Sequence, residues 1–205
     1  MERIIIENAE EKDLDEVIKL ENEIWPEGTR ANKDKFESRL KIFPQGFFLA
    51  YKDNKLIGVS TSEIINYDIK NPPKSWERIT DNGSIRRTHN PKGNALYVVS
   101  IGAKSRSGGG SALIQTQRAL LDKLNLKFLV LGARISGYNA YCKINDEIPI
   151  KEYVRLRRDS ELVDPELRFY TRNGLRLVKI MQNYMEEDIE SRNYGAIMML
   201  RKNGK

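Results

Sequence analysis

Between positions 103 and 111 the chain reads Ala-Lys-Ser-Arg-Ser-Gly-Gly-Gly-Ser, set between a dense apolar run and a segment with helical spacing. Gly108, Gly109 and Gly110 let the backbone take positive φ and approach a ligand closely. A helix beginning there aims free amide N–H groups, and the positive end of its dipole, at an anion such as phosphate. Ser105, Ser107 and Ser111 add hydroxyl donors, and Lys104 and Arg106 add positive charge. A tight strand–helix connection would use the same residues. The Gly-Lys-Ser/Thr ending of a P-loop and the G-x-G-x-x-G spacing of a dinucleotide fold are both missing.

Other reactive side chains are few. Cys142 and His89 are the single cysteine and histidine of the sequence. They exclude an internal disulfide, offer no basis for a metal site, and leave a Ser-His-Asp triad little support. With no histidine near it in sequence, Cys142 reads as a small buried residue in preference to a nucleophile. Glu63, in a strand-like run, is a candidate general base, directly or through water, or a carboxylate on an exposed strand face.

The chain that must position these groups has 205 residues, 40% hydrophobic and 31% charged, with a net charge of +6. That balance excludes disorder and is long enough for a sizeable core, so one domain spanning 1–205 is expected. No apolar run approaches a membrane span, and charged residues begin at once with no signal-peptide segment. The expectation is a cytoplasmic protein with no membrane partner. The positive charge suits an anionic partner or a solvated Lys/Glu surface equally, and no block of like charges or nucleic-acid motif supports DNA or RNA binding. The sequence is compatible with a homodimer.

Periodicity places a strand at Arg3–Glu7 and a helix over Leu14–Ile24 opened by an Asp13/Glu16 capping box. A second short helix follows around Phe36–Phe43, then a hairpin of Gly46–Tyr51 and Lys55–Ile65 turning at Asp53-Asn54. Residues 67–94 are polar and rich in turn residues, with no sustained apolar period, and are expected to form a functional or mobile loop outside the core. Ala95–Ile101 and Leu126–Leu131 read as central strands flanking a helix over Leu113–Leu124. Asp164-Pro165 starts a helix and Asn173-Gly174 stops it. Leu175–Met181 and Tyr194–Leu200 read as a closing antiparallel pair. The fold class is mixed α/β around one sheet.

This order, together with the glycine turn, resembles the GNAT acetyltransferases, whose hallmark is Q/R-x-x-G-x-G/A between the fourth strand and the third helix. Placing Gly108 and Gly110 on the two glycine positions puts Ser105 where the family has Gln or Arg. A second register uses Arg106 with Gly109 and Ser111. Ser75–Thr80, Arg134–Tyr138, Asp164–Leu167 and Asp188–Gly195 are similar to the acetyltransferase half fused to nitrilase-type hydrolases in some bacterial proteins. The resemblance implies a mostly antiparallel sheet whose fourth and fifth strands splay. It also implies acetyl-CoA or another acyl-CoA as cosubstrate, without metal, and a small-molecule amine or protein amino group as acceptor. Val99, Ser100 and Ile101 would pair with the donor through their backbone. Tyr170, four residues before Gly174, matches the family's Tyr-x-x-x-Gly-Phe segment, with Leu175 in place of Phe, and would be the general acid for the CoA thiolate. Arg134 and Tyr138 would line the acceptor site or shape the loop there, and residues 67–94 would be an acceptor-side lid. A catalytically silent acyl-CoA-binding module is the alternative.

Overall fold

The computed structural model describes residues 3–202. Seven strands form one sheet in the order β1-β2-β3-β4-β5-β9-β8, where β1 is Ile5–Asn8, β2 Phe48–Lys52, β3 Lys55–Ile65, β4 Ala95–Ala103, β5 Phe128–Arg134, β8 Arg176–Met181 and β9 Gly195–Arg201. Only β4 and β5 run parallel; every other neighbour is antiparallel. Helices α1 (Leu14–Ile24) and α2 (Lys33–Ile42) cover one face, and α4 (Gly109–Lys123) packs on the other, where Gln117 Nε2 donates to Ser60 Oγ at 3.0 Å. Short α3 (Trp76–Ile79), α5 (Tyr138–Ile144), α6 (Ile150–Tyr153) and α7 (Pro165–Arg172), with a small β6–β7 hairpin (Arg157–Arg158, Glu161–Leu162), complete the elements. Among the described residues no helix is long and apolar enough to cross a membrane.

The parallel ladder is brief. Ala95–Tyr97 pair with Phe128–Val130, after which β5 continues only against β9 and β4 runs on to Ala103 without it. This is the expected splay. Opposite Thr61 and Ser62 the register of β4 slips: Thr61 faces Ser100 and Ser62 faces Val98, so Val99 is an extra residue. Such a bulge bends its strand and re-aims its groups. The separation therefore opens at Val98–Val99, and beyond Val99, whose carbonyl a side chain takes, β4 runs to its end with no strand paired on the β5 side.

Several local expectations shift. The capping box is one turn earlier than the sequence suggests, between Glu10 and Asp13, whose carboxylate accepts the Glu10 amide at 2.8 Å. At α7 the reading holds: Asp164 accepts the Glu166 and Leu167 amides, each at 3.0 Å, and Gly174 leaves at φ +86°. The segment 67–94 is not a lid outside the core. Ile85 is fully buried, and Tyr67, Ile79 and Thr80 are 4% exposed or less. Its path is held by local and cross-strand bonds, including Ile85 N to Thr80 O and Asn90 N to Ile64 O. Side chains too sparse to form a period are still enough to anchor a loop whose backbone is satisfied by its own turns.

Candidate active site

The splay holds a cleft of about 670 Å³ on the α4 side and a cavity of about 190 Å³ on the α1–α2 side, and Trp25 lines both. The cleft begins where β4 hands over to α4. Lys104 N donates to Ile57 O at 2.8 Å, the last tie to the sheet, and Arg106 then adopts φ +57°. Gly108 caps the helix at φ +82°, and Ser107 Oγ accepts the Gly109 amide at 3.1 Å. The first amide to join the helix ladder is that of Ala112, bonded to Gly108 O. The amides of Gly110 and Ser111 have no protein acceptor among the described residues, and both residues line the cleft. These features fit the phosphates of a CoA thioester, as does the unpaired β4 edge beside them for an extended arm.

The residues singled out in the sequence divide between the two spaces. Ile101, Ser105, Arg106, Ser107, Gly108, Gly110 and Ser111 line the cleft. Val99 and Ser100 line the cavity instead. Gly109 lines neither; a Cβ there would meet Ile57 Cδ1 at 3.1 Å, so it serves helix–strand packing. Lys104 lines the cleft but pairs with Glu23 at 2.8 Å.

Tyr170 lines the cleft from α7 and is 7% exposed. Burial holds its phenol well above the usual range, with the nearby Glu166 pushing the same way and Arg134 opposing. It stays protonated at neutral pH, which suits a proton donor. Glu166, one turn earlier on α7 and not distinguished by any motif, shares the cleft, and burial raises its carboxyl to about 7.

Arg134 ends β5 and lines the same cleft, but its charge is committed. It donates to both oxygens of Asp188 at 3.0 and 2.7 Å and to Glu190 at 2.6 Å, and Glu166 lies 3.9 Å away. This network ties the end of β5 to the β8–β9 connection. Tyr138 lines neither space: its hydroxyl donates to Ile148 O at 2.8 Å and its ring packs on Tyr153. Tyr138 shapes the loop.

Glu63 is not on an exposed face. It is fully buried, both oxygens lack hydrogen-bond partners, and it lines neither space. Burial pushes its carboxyl from 4.5 up to about 8, against the pull of the neighbouring Thr88 hydroxyl and, more weakly, of Arg39. Between those values the unfolded chain gives up the proton and the folded chain keeps it. Stability therefore falls as pH rises through that window, and below it there is no penalty. Glu63→Gln removes the titration, so its stability relative to the parent is expected to be higher at pH 8.5 than at pH 5, by an order of a few kcal/mol. Denaturant midpoints at the two pH values check this; an identical difference at both would show that Glu63 does not titrate in this range.

The cavity contains Arg39 and Glu21, which no sequence pattern marks, beside Trp76 of the Ser75–Thr80 segment. Arg39 on α2 is 1% exposed; its Nε donates to Gly83 O at 2.7 Å, and Nη1 to Ser100 Oγ at 3.0 Å and Thr61 Oγ1 at 3.2 Å. Trp76 Nε1 donates to Val99 O at 2.9 Å, closing the carbonyl at the bulge. Glu21 on α1 accepts the Ala31 amide at 2.8 Å, and burial raises its carboxyl. A polar group buried without a partner costs about 1–3 kcal/mol, so such groups lining a cavity mark a place where a ligand recovers stability.

No family model matches the chain. It is 34% identical over 204 residues to the uncharacterized N-acetyltransferase YkwB of Bacillus subtilis (strain 168), covering 96% of this chain and 88% of that protein. It is 33% identical over 199 residues to the probable hydrolase YhcX of the same organism, where the match covers 96% of this chain but only 38% of that protein's length. Among solved structures it is similar to the loading GNATL domain of CurA from Lyngbya majuscula, with a TM-score of 0.84 at 20% identity over 97% of this chain and 98% of that one. The GNAT-like decarboxylase GphF in complex with isobutyryl-CoA gives a TM-score of 0.82 at 21% identity over 96% and 98%. At those identities the structural likeness speaks to the fold.

Proposed function

The chain belongs to the GNAT family of N-acetyltransferases, and from that membership we propose that it transfers an acyl group, acetyl being the expected one, from acyl-CoA to an amine. The observation that carries this reading is the cleft in which the unpaired edge of β4, the free amides at the start of α4 and the Tyr170 side chain come together. Gly110 and Ser111 amides, helped by Arg106, hold the donor's phosphates. The backbone at Ile101 pairs with the extended arm and places the thioester near the bulge. The likeness to a GNAT-like fold that carries isobutyryl-CoA agrees with a CoA thioester in such a cleft.

With the donor so placed, the amine nitrogen attacks the thioester carbonyl from the cavity side. Negative charge grows on the carbonyl oxygen and then on sulfur. Tyr170, kept neutral by its surroundings, gives its proton to the sulfur as negative charge builds there. Trp25, which lines both cleft and cavity, borders the path between amine and thioester.

Acetyl-CoA mixed with amines is expected to release CoA thiol at a rate that depends on the amine, with mass spectrometry finding the acylated product. Binding of acetyl-CoA by calorimetry with no thiol release from any amine would instead identify a silent acyl-CoA-binding module. Failure to bind at all would remove the donor assignment.

A further inference from the structure

Four side chains lining the cavity each leave a buried polar atom without a partner: Arg39 Nη2, Glu21 Oε2, Glu77 Oε2 and Trp25 Nε1. Arg39 and Glu21 matter most because they are 1% and 2% exposed and carry opposite charges. Each is pinned by its other polar atoms, Arg39 by Gly83, Thr61 and Ser100, and Glu21 by the Ala31 amide. Yet no ion pair joins them among the described residues, although they line one cavity. A protein that buries a cation and an anion this deeply ordinarily pairs them. Lining one cavity with no direct ion pair between them, and each with a polar atom left over, they fit a ligand that carries both opposite charges.

The size and place of the cavity narrow that ligand. About 190 Å³ suits a small molecule better than a folded surface. Val99 and Ser100 line the cavity and Ile101 lines the cleft, so consecutive residues of β4 border the two spaces, and Trp25 lines both. A molecule anchored on Arg39 thus lies beside the strand that positions the acyl group.

We propose that the cavity takes a free α-amino acid as the acyl acceptor, with Arg39 Nη2 binding its carboxylate and Glu21 Oε2 binding, then deprotonating, its ammonium group. The proposal rests on the acyl-transfer reading and gives it a substrate class. The ammonium passes one proton to the Glu21 carboxylate. The freed nitrogen forms a bond to the thioester carbon as the carbon–sulfur bond breaks. The sulfur leaves with that electron pair and takes the proton of Tyr170. The surplus proton on nitrogen returns through water to the tyrosine. Glu21 gives the proton it took to water, and the products are an N-acyl amino acid, CoA thiol and that proton.

Titration calorimetry and thiol release on the unaltered protein test this with free L-amino acids set against their C-terminal amides, which keep the amine and lack the carboxylate. At least one amino acid is expected to bind and be acylated, and its amide to bind about tenfold more weakly or worse, the loss expected when a buried charged donor has no partner. Glu21→Gln keeps an acceptor for Ala31 and is expected to lower both amino-acid affinity and turnover in a protein whose circular dichroism is unchanged. Equal binding of acids and amides, or full activity of Glu21→Gln, would overturn the pocket assignment even if amines are acylated. Amino-acid binding without transfer would keep the pocket and remove the acyl-transfer reading. Loss of carbon dioxide from malonyl-CoA without any amine would assign the Arg39 site to a carboxylate on the donor and overturn the proposal.

Discussion

Tyr170→Phe is expected to lower turnover by about 10²–10⁴-fold, the range typical of a positioned general acid, while acyl-CoA affinity stays unchanged. The substitution removes one oxygen and keeps the ring. That ring packs against Phe169 with centroids 5.1 Å apart, so the wall of the cleft survives. Among the described residues the Tyr170 hydroxyl makes no hydrogen bond, so its loss leaves no protein group unpaired and stability should hold. The hydroxyl acts only as sulfur gains charge, which places its contribution in the transition state and not in donor binding. The measurement is a split: calorimetry for acetyl-CoA and single-turnover rates for transfer. An unchanged rate, with chemistry shown to be the slow step, would make Tyr170 a packing residue. Glu166, one turn away, would then be the next proton donor to test, since its carboxyl is raised to about 7.

Legibility in the sequence tracks the range of the interactions. Strands show as local β-branched runs, and the ends of α7 as Asp164-Pro165 and Asn173-Gly174, where cap and chain are neighbours. The glycine turn is legible for the same reason. The cavity is not. Arg39 sits on α2 among charged residues that look like a solvated face, and its burial depends on Gly83 and Ser100, 44 and 61 positions away. Glu21 shares a charged stretch with Glu23, and only the chain's return at Ala31 buries it. Trp25 reads simply as the end of a helix until the splay of β4 and β5 gives it two spaces to divide. Glu63 reads as exposed because alternation along a strand does not say that both faces of a central strand are covered. Residues 67–94 mislead by composition: Ile79 and Ile85 are too few to make a period, but each is enough to fasten one turn to the core.

Gly108→Val and Gly110→Val are each expected to weaken acyl-CoA binding by about 100-fold or more, by different routes. At Gly108 the obstacle is conformation. With φ at +82° a β-branched residue is strained whatever the space, and an added Cβ would also lie 3.1 Å from Ile4 Cδ1. Relieving the strain means turning the peptide, which moves the start of α4 and re-aims the amides of Gly110 and Ser111. At Gly110 the backbone is helical and the obstacle is space. An added Cβ would lie 3.1 Å from the Phe169 ring and on the wall of the cleft that a phosphate must approach. Hydrogen bonds to a charged group contribute about 1.5–3 kcal/mol each, so losing two of them accounts for a factor of about 100 or more. Calorimetry with CoA on variants of parental circular dichroism reads the effect. The pair also discriminates: a ligand held by side chains of Arg106 and the serines alone would tolerate both changes. Undiminished affinity in the two folded variants would therefore move the phosphates off the α4 amides and remove the cleft as the donor site.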